Sequence, residues 1–366
     1  MNTINSGLAA KLNEAARTEA RDFNRSRAVT IWLFTVCALV ALMVIVGGWV
    51  RLTRSGLSIT EWKVITGILP PLSDAAWQQQ FARYQQSPEF RLVNATMTLA
   101  EYKSIFYLEY IHRLLGRLAG LVVVVPLAFF LIRGLIPWRR SAVYLGIVAL
   151  FGFQGFLGWY MVASGLVDRP HVSHYRLAIH LLMALLLLGL TLWLALSRVY
   201  GKPGRRWSVP GVMLLVVLLL QITYGALVAG LKAGGITNTW PLMFGSLVPT
   251  SLLGALSPWW LNPIESPVTV HFIHRWFAFA VLAMALMIYW RVGRHSHSPN
   301  IRRSALTLAL LVCIQIAVGI SVVQLSVPVA LALFHQAIAL LMCAVAVFLN
   351  HRLAAAQKYA SLSKRP

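Results

Sequence analysis

Apolar residues fall in eight long blocks along this chain, at 29–50, 105–132, 142–163, 176–199, 209–231, 268–290, 304–325 and 328–349. A helix of about 20 apolar residues crosses the roughly 30 Å of a bilayer's hydrocarbon. The pattern therefore predicts an all-α integral membrane protein with eight transmembrane helices. The second block is the least regular, because Glu109, His112, Arg113 and Arg117 crowd its first half, and the uninterrupted run Leu118–Ile132 carries it. Two connections are long. Residues 51–104 hold Pro70–Pro71, a cluster of aromatics and charges of both signs, and residues 232–267 are rich in Gly, Pro and Trp. Loops of that length are more often folded or functional than idle.

Basic residues gather on alternate connections. Arg17, Arg21, Arg25 and Arg27 precede the first block; Arg133, Arg139 and Arg140 follow the second; Lys202, Arg205 and Arg206 follow the fourth. Arg291, Arg294, Arg302 and Arg303 join the sixth and seventh, and Arg352, Lys358, Lys364 and Arg365 end the chain. Positive charge stays on the cytoplasmic side. Residues 1–28 and 350–366 are thus expected as cytoplasmic tails, with both long connections outside. The acids Glu14, Glu19 and Asp22 in the first tail fit neither a secretory signal nor a transit peptide.

The two halves resemble each other. HRLLGR at 112–117 answers HRWFAF at 274–279, RLAIHLLMALLL at 176–187 answers LALFHQAIALLM at 331–342, and Gln154 and Gly158 answer Gln315 and Gly319. Both halves would start outward from the cytoplasm, so the expected relation is a parallel internal repeat. It predicts two fused four-helix bundles, 29–199 with its outer loop 51–104 and 209–349 with its outer loop 232–267, each with a site in its core.

Composition sharpens this reading. Hydrophobic residues make up 58% of the 366 and charged residues 11%, against roughly 25% charged in soluble domains. The net charge of +22 comes from 32 Lys and Arg against 10 Asp and Glu. Its place in short loops speaks for membrane orientation and against nucleic acid. Cys37, Cys313 and Cys343 all lie in apolar runs, which predicts buried thiols rather than a disulfide or zinc site.

Ionisable side chains inside a bilayer are costly and usually functional. His112, His180, His274 and His335 each open an even-numbered span, near one depth on the outer side. Histidine pairs on facing helices of a bundle commonly hold haem iron. Copper or zinc would need further ligands at that level, where Cys and Asp are missing. Arg113 and Arg275 follow two of the histidines, placed either to meet haem propionates or to snorkel to lipid headgroups. The repeat breaks at Glu109, one helical turn before His112, whose counterpart is His271. One half thus has an acid beside its ligands. That asymmetry points to chemistry in the N-terminal half and a resident cofactor in the other.

Several stretches resemble haem A synthase: GGWVRLTRSGLSITEWKVITGILPPL (47–72), SPEF (87–90), EYIHRLLGRLAG (109–120), QGFLGWYMVASGL (154–166), YRLAIHL (175–181), LVAGLKAGGITNTWPLM (227–243) and FHQA (334–337). The resemblance covers nearly all eight spans and both outer loops. It implies oxidation of the C8 methyl of haem O to the formyl group of haem A, for cytochrome c oxidase. It also implies haem b as cofactor, its iron held by His274 and His335 with Arg275 beside it. Haem O would lie near His112, His180 and Arg113, with Glu109 taking part in the chemistry. The implied setting is a bacterial inner membrane, with membrane lipid around the chain and an electron donor, haem O synthase and oxidase assembly factors as partners. One departure is that residues 51–104 lack the cysteine pair that some branches carry there. Two rival readings use the same histidines: a di-haem b electron-transfer protein of the quinol-oxidoreductase kind, which needs no Glu109, and a transporter or haem chaperone. The latter would put its polar site at the midplane.

Overall fold

The computed structural model describes residues 2–62, 66–167, 170–204, 207–294 and 298–362, with side chains from 27 to 356 apart from Thr66. Arg205, Arg206 and residues 295–297, in two of the basic connections, lie outside it, as do the side chains of the basic residues before Arg27 and after Arg352. Among the described residues, eight helices are long and apolar enough to cross a membrane. They are α1 (Asn2–Leu52), α2 (Leu99–Ile132), α3 (Ala142–Ala163) and α4 (His174–Tyr200). The rest are α5 (Val209–Gly230), α6 (Pro267–Arg294), α7 (Pro299–Gln324) and α8 (Val329–Leu362). Among the described residues no β-strand forms beyond one isolated bridge between Met243 and Ser246.

Each expected apolar block lies on one of these helices. The helices run well beyond their blocks at α1, which begins at Asn2, and at α8, which ends at Leu362, and α2 begins at Leu99 rather than 105. Its extra turns are set by a capping box, in which Thr98 and Glu101 each satisfy the other's backbone N–H. Hydropathy cannot register a start fixed by polar caps.

Helix α1 packs on α2 and α4, and α3 packs on the same two. Likewise α5 and α7 each pack on α6 and α8. Between these groups α4 meets α5 and α8, and α8 also meets α1. One apolar core, with Leu33, Val36, Val123, Ile147 and Leu187, fills the first group; another, with Leu214, Leu218, Leu308 and Leu349, fills the second. Outward faces are apolar too, as at Leu121, Val125, Leu220 and Leu310. Side chains of that kind gain nothing by leaving lipid, so close packing and buried hydrogen bonds must hold the helices together. Trp32 Nε1 donates to Val122 O (2.8 Å), and Asn350 Nδ2 donates to Gly211 O (3.0 Å). A side chain on Gly211 would strike that Asn350 amide. Cys37 and Cys343 are buried as expected, whereas Cys313 faces outward on α7. The apolar run that holds Cys313 is lipid-facing at that position rather than core.

The first long connection is folded. Helices Asp74–Gln85 and Pro88–Leu92 are N-capped by Ser73 and Ser87. An aromatic cluster seats them on the first turns of α2, with Trp77 edge-on to Phe106 and Tyr84 stacked on Tyr102, both at 5.0 Å.

Candidate functional site

All four histidines are built the same way. His112, His180, His274 and His335 lie near the first turns of α2, α4, α6 and α8, each with its Cε1 edge against a glycine of the helix before it. A Cβ on Gly47, Gly158, Gly225 or Gly319 would stand 3.0, 3.1, 3.0 or 2.9 Å from the facing histidine's Cε1. Real side chains do not approach so closely without displacement, so only glycine lets each ring lie there. Every one of these glycines sits five residues before its helix ends, at Leu52, Ala163, Gly230 and Gln324. The rings therefore share one level.

Glutamines support the rings one turn further along. Gln154 Nε2 donates to His180 O (3.1 Å) and touches the ring at 3.5 Å. Gln221 Nε2 donates to His274 O (2.9 Å) and lies 3.2 Å from its Nδ1. Gln315 holds the same register before Gly319. In α1 that place is taken by Met43.

The His274 and His335 rings have centroids 6.4 Å apart with planes at 75°. An imidazole–metal bond is about 2 Å, so two such bonds and about 1 Å within each ring span roughly 6 Å. The pair is thus spaced for one iron between them. His335 Nδ1 is buried without a partner, as are Nδ1 of His112 and His180. Among the described residues no group of three or more His, Cys, Asp or Glu converges as for a protein-held ion. Paired axial imidazoles and apolar walls instead suit haem.

Glu109 is buried and fully occupied. Its Oε2 accepts from Ser58 Oγ (2.7 Å) and Ile59 N (2.9 Å), and its Oε1 accepts from Arg113 Nε (2.9 Å) and Nη2 (2.6 Å). Arg113 also donates to Glu61 O (3.1 Å) and Ile59 O (2.8 Å), and lies over the Trp62 ring. The pair thus ties the first long connection to α2, with the Arg113 side chain mostly buried. Arg275 is built in parallel. Its Nε donates to His271 Nε2 (3.1 Å) and its Nη1 to Thr239 O (3.0 Å) in the second connection. Its Nη2 differs, being buried with no partner. A buried charged donor without an acceptor is costly, and a carboxylate such as a propionate would satisfy it.

The residues that sequence reasoning missed are those whose neighbours are far off in the chain. Ser58 and Ile59 reach Glu109 across about fifty residues. Gln336, next to His335, donates its Nε2 to Val44 O (2.6 Å) and covers Gly48, beside the Gly47 that cradles His112. The signal available was Gln-x-x-x-Gly, repeated at 154/158, 221/225 and 315/319.

A profile of cytochrome oxidase assembly proteins, the COX15-CtaA family, matches residues 30–347. A haem A synthase of Rhodopseudomonas palustris (strain HaA2) is 44% identical over 94% of this chain and 95% of its own length. Another from Maricaulis maris (strain MCS10) is 47% identical over 87% and 94%. A third, from Parvibaculum lavamentivorans, is 43% identical over 95% and 99%.

Proposed function

This chain belongs to the COX15-CtaA family of haem A synthases, and from that premise we propose that it oxidises the C8 methyl of haem O to the formyl of haem A, with haem O between His112 and His180 and haem b between His274 and His335. The observation that carries the division is matched depth with unmatched chemistry. Four rings share one level, yet only the first pair has a carboxylate one turn away, and only the second has an unpaired buried guanidinium nitrogen. We read the chain as two fused halves, 29–199 and 209–349, each holding one haem.

Haem b, when bound, supplies a one-electron relay to the substrate site. The protein's own residues do the rest. His274 and His335 fix the relay, and Arg275 Nη2 takes one of its propionates. His112 and His180 set the substrate ring so that its methyl edge lies toward Glu109. Loss of water from the gem-diol that precedes the formyl group, R–CH(OH)2 → R–CHO + H2O, takes a proton from one hydroxyl and gives one to the other, and Glu109 carries it, with the Ser58 hydroxyl as the exchangeable bridge on Oε2. Arg113 is a positioning residue: it holds Glu109 from the other side and pins the first connection over the site. On charge, both termini and the basic connections lie in the cytoplasm of a bacterial inner membrane. The partners of this reaction are then haem O synthase as the source of haem O, oxidase assembly factors and a separate electron donor.

Pigments extracted from membranes of cells that make haem O test the reading. Haem A should appear with this chain and be absent, or stall at a hydroxylated stage, with Glu109→Gln. The amide sets an NH2 against donors and costs about 1–3 kcal/mol, so retained haem b serves as the check on folding. Haem A at the wild-type rate would make Glu109 structural.

A further inference from the structure

The basic end of the helices, opposite the histidines, carries an open groove of about 650 Å³. Half-buried Val345 and Phe348 of α8 form its floor, Leu196 and Tyr200 of α4 line one side, and Arg303 and Thr307 of α7 line the other. Polarity is graded along it. Tyr200 and Arg303 lie at the mouth, whereas the deeper walls, reaching Leu192 and Phe34, are apolar. On α4 the run from Tyr200 to Leu192 is about 12 Å of helix. Arg352 stands at the mouth as well, one turn beyond Phe348 on α8, with its guanidinium 4.5 Å over the Tyr200 ring. Its Nε is buried without a partner, which is costly for a charged donor. Helix α7 starts beside Arg303 with no side-chain cap from Ser298, so the positive end of its dipole adds to the same potential. Every acid whose side chain is described, Glu61, Asp74, Glu89, Glu101, Glu109 and Glu265, belongs to the long connections or the first third of α2. Among the described residues, therefore, neither Arg303 nor Arg352 meets a carboxylate.

We propose that this groove binds one anionic phospholipid from the leaflet on the basic side, its phosphate taken by Arg303 and Arg352 and an acyl chain laid over Phe348 and Leu196 toward α1. The chemistry of the walls matches such a molecule part by part: cations where the headgroup lies, apolar side chains where the chain runs. Basic pockets between membrane helices on the cytoplasmic side recognise acidic headgroups in this way, and the volume falls within the about 300–1,000 Å³ of small-ligand sites. A zwitterionic headgroup brings its own cation, which the two guanidinium groups repel. A neutral amphipath leaves both of them unpaired. Because α4 belongs to the first packed group and α7 to the second, the lipid also bridges the two groups at the end away from the histidines.

Native mass spectrometry of the purified full chain in detergent, titrated with phosphatidylglycerol or phosphatidylcholine, tests the site. An arginine near a membrane surface adds about fivefold in affinity for an acidic lipid. Phosphatidylglycerol should therefore bind at least about fivefold more tightly than phosphatidylcholine. Arg303→Gln should remove about fivefold of the phosphatidylglycerol affinity, and Arg352→Gln a similar factor. Arg302→Gln makes the same change of charge next door but outside the groove lining, and should shift affinity less than about twofold. Thr307→Trp, at an exposed position on the wall, should fill the groove and weaken binding of both lipids. If Arg352→Gln does not fold, Arg303→Gln and Thr307→Trp decide, since both alter exposed positions. The proposal is overturned if the two lipids bind equally, or if Arg302→Gln and Arg303→Gln act alike, which would mean diffuse attraction to the basic face. It is equally overturned if glycerol 3-phosphate, which has no acyl chain, displaces the lipid, or if the occupant lost on Thr307→Trp is a second copy of the chain.

Discussion

Gly319→Ala is the sharpest perturbation of the site proposed for haem b, because it adds one methyl group and nothing else. That methyl would stand 2.9 Å from His335 Cε1 and 3.5 Å from its Nδ1, where carbon atoms prefer about 3.5–4.0 Å. The imidazole must retreat by most of an ångström or the helices must part. Overpacking of this kind costs about 1–3 kcal/mol. Paid at the ligand, that is a loss of roughly 5–150-fold in haem b affinity. Alanine is also the better helix former by about 1 kcal/mol, and this gain goes to the haem-free protein as well. The variant should therefore release haem b faster without a matching fall in thermal stability. The rate of haem transfer to an excess of a haem-scavenging globin measures the first, and a melting curve of the haem-free protein the second. Gly155→Ala, on α3 with nothing within 4 Å of its added methyl, is the control and should change neither. An unchanged haem b release rate in Gly319→Ala would refute the cradle argument for this pair.

Three further outcomes follow from the same geometry. Gly48→Ala would put a methyl inside the Gln336 carboxamide and break its bond to Val44 O, costing about 1–3 kcal/mol; unchanged melting would show that the carboxamide can turn aside. Glu89 is buried in the first connection beside Tyr84 and away from the spans; burial, then the charge of Glu109, push its pKa from 4.5 up to about 7. The folded loop favours the protonated acid, so this contribution is complete below the ordinary carboxylate range and is lost as pH rises through about 7. Protease resistance of residues 51–104 should therefore fall above that pH in the wild type, and Glu89→Gln should abolish the fall. For sidedness, a single cysteine replacing Trp138 on a cysteine-free background should resist a membrane-impermeant reagent in intact cells. Labelling there would invert the proposed orientation.

The spans were legible in the sequence because hydropathy is a local sum, and membrane crossing needs only that sum. The four histidines and Glu109 stood out for the same reason, as costly side chains in apolar surroundings. What supports them could not be read so directly. A glycine in a membrane helix is ordinary, and Gly47, Gly158, Gly225 and Gly319 become distinctive only when a ring is seen lying on each. Arg113 left two readings open, propionate or lipid, and its bonds to Ile59 O and Glu61 O give it another task. Those partners are more than fifty residues away, in a loop without a periodic signal. The repeated Gln-x-x-x-Gly was visible, but its meaning lies in the helix that follows each copy.

The bond from Gln336 to Val44 joins the last transmembrane helix to the first, beside one histidine of each pair. As the chain is synthesised, α1 to α4 emerge well before α8. The wall behind Gly47 and Gly48 stays incomplete until the final helix arrives, and that helix also brings His335. Biosynthesis is thereby ordered. The surroundings of His112 cannot reach their finished shape in a chain that still lacks the helix carrying His335.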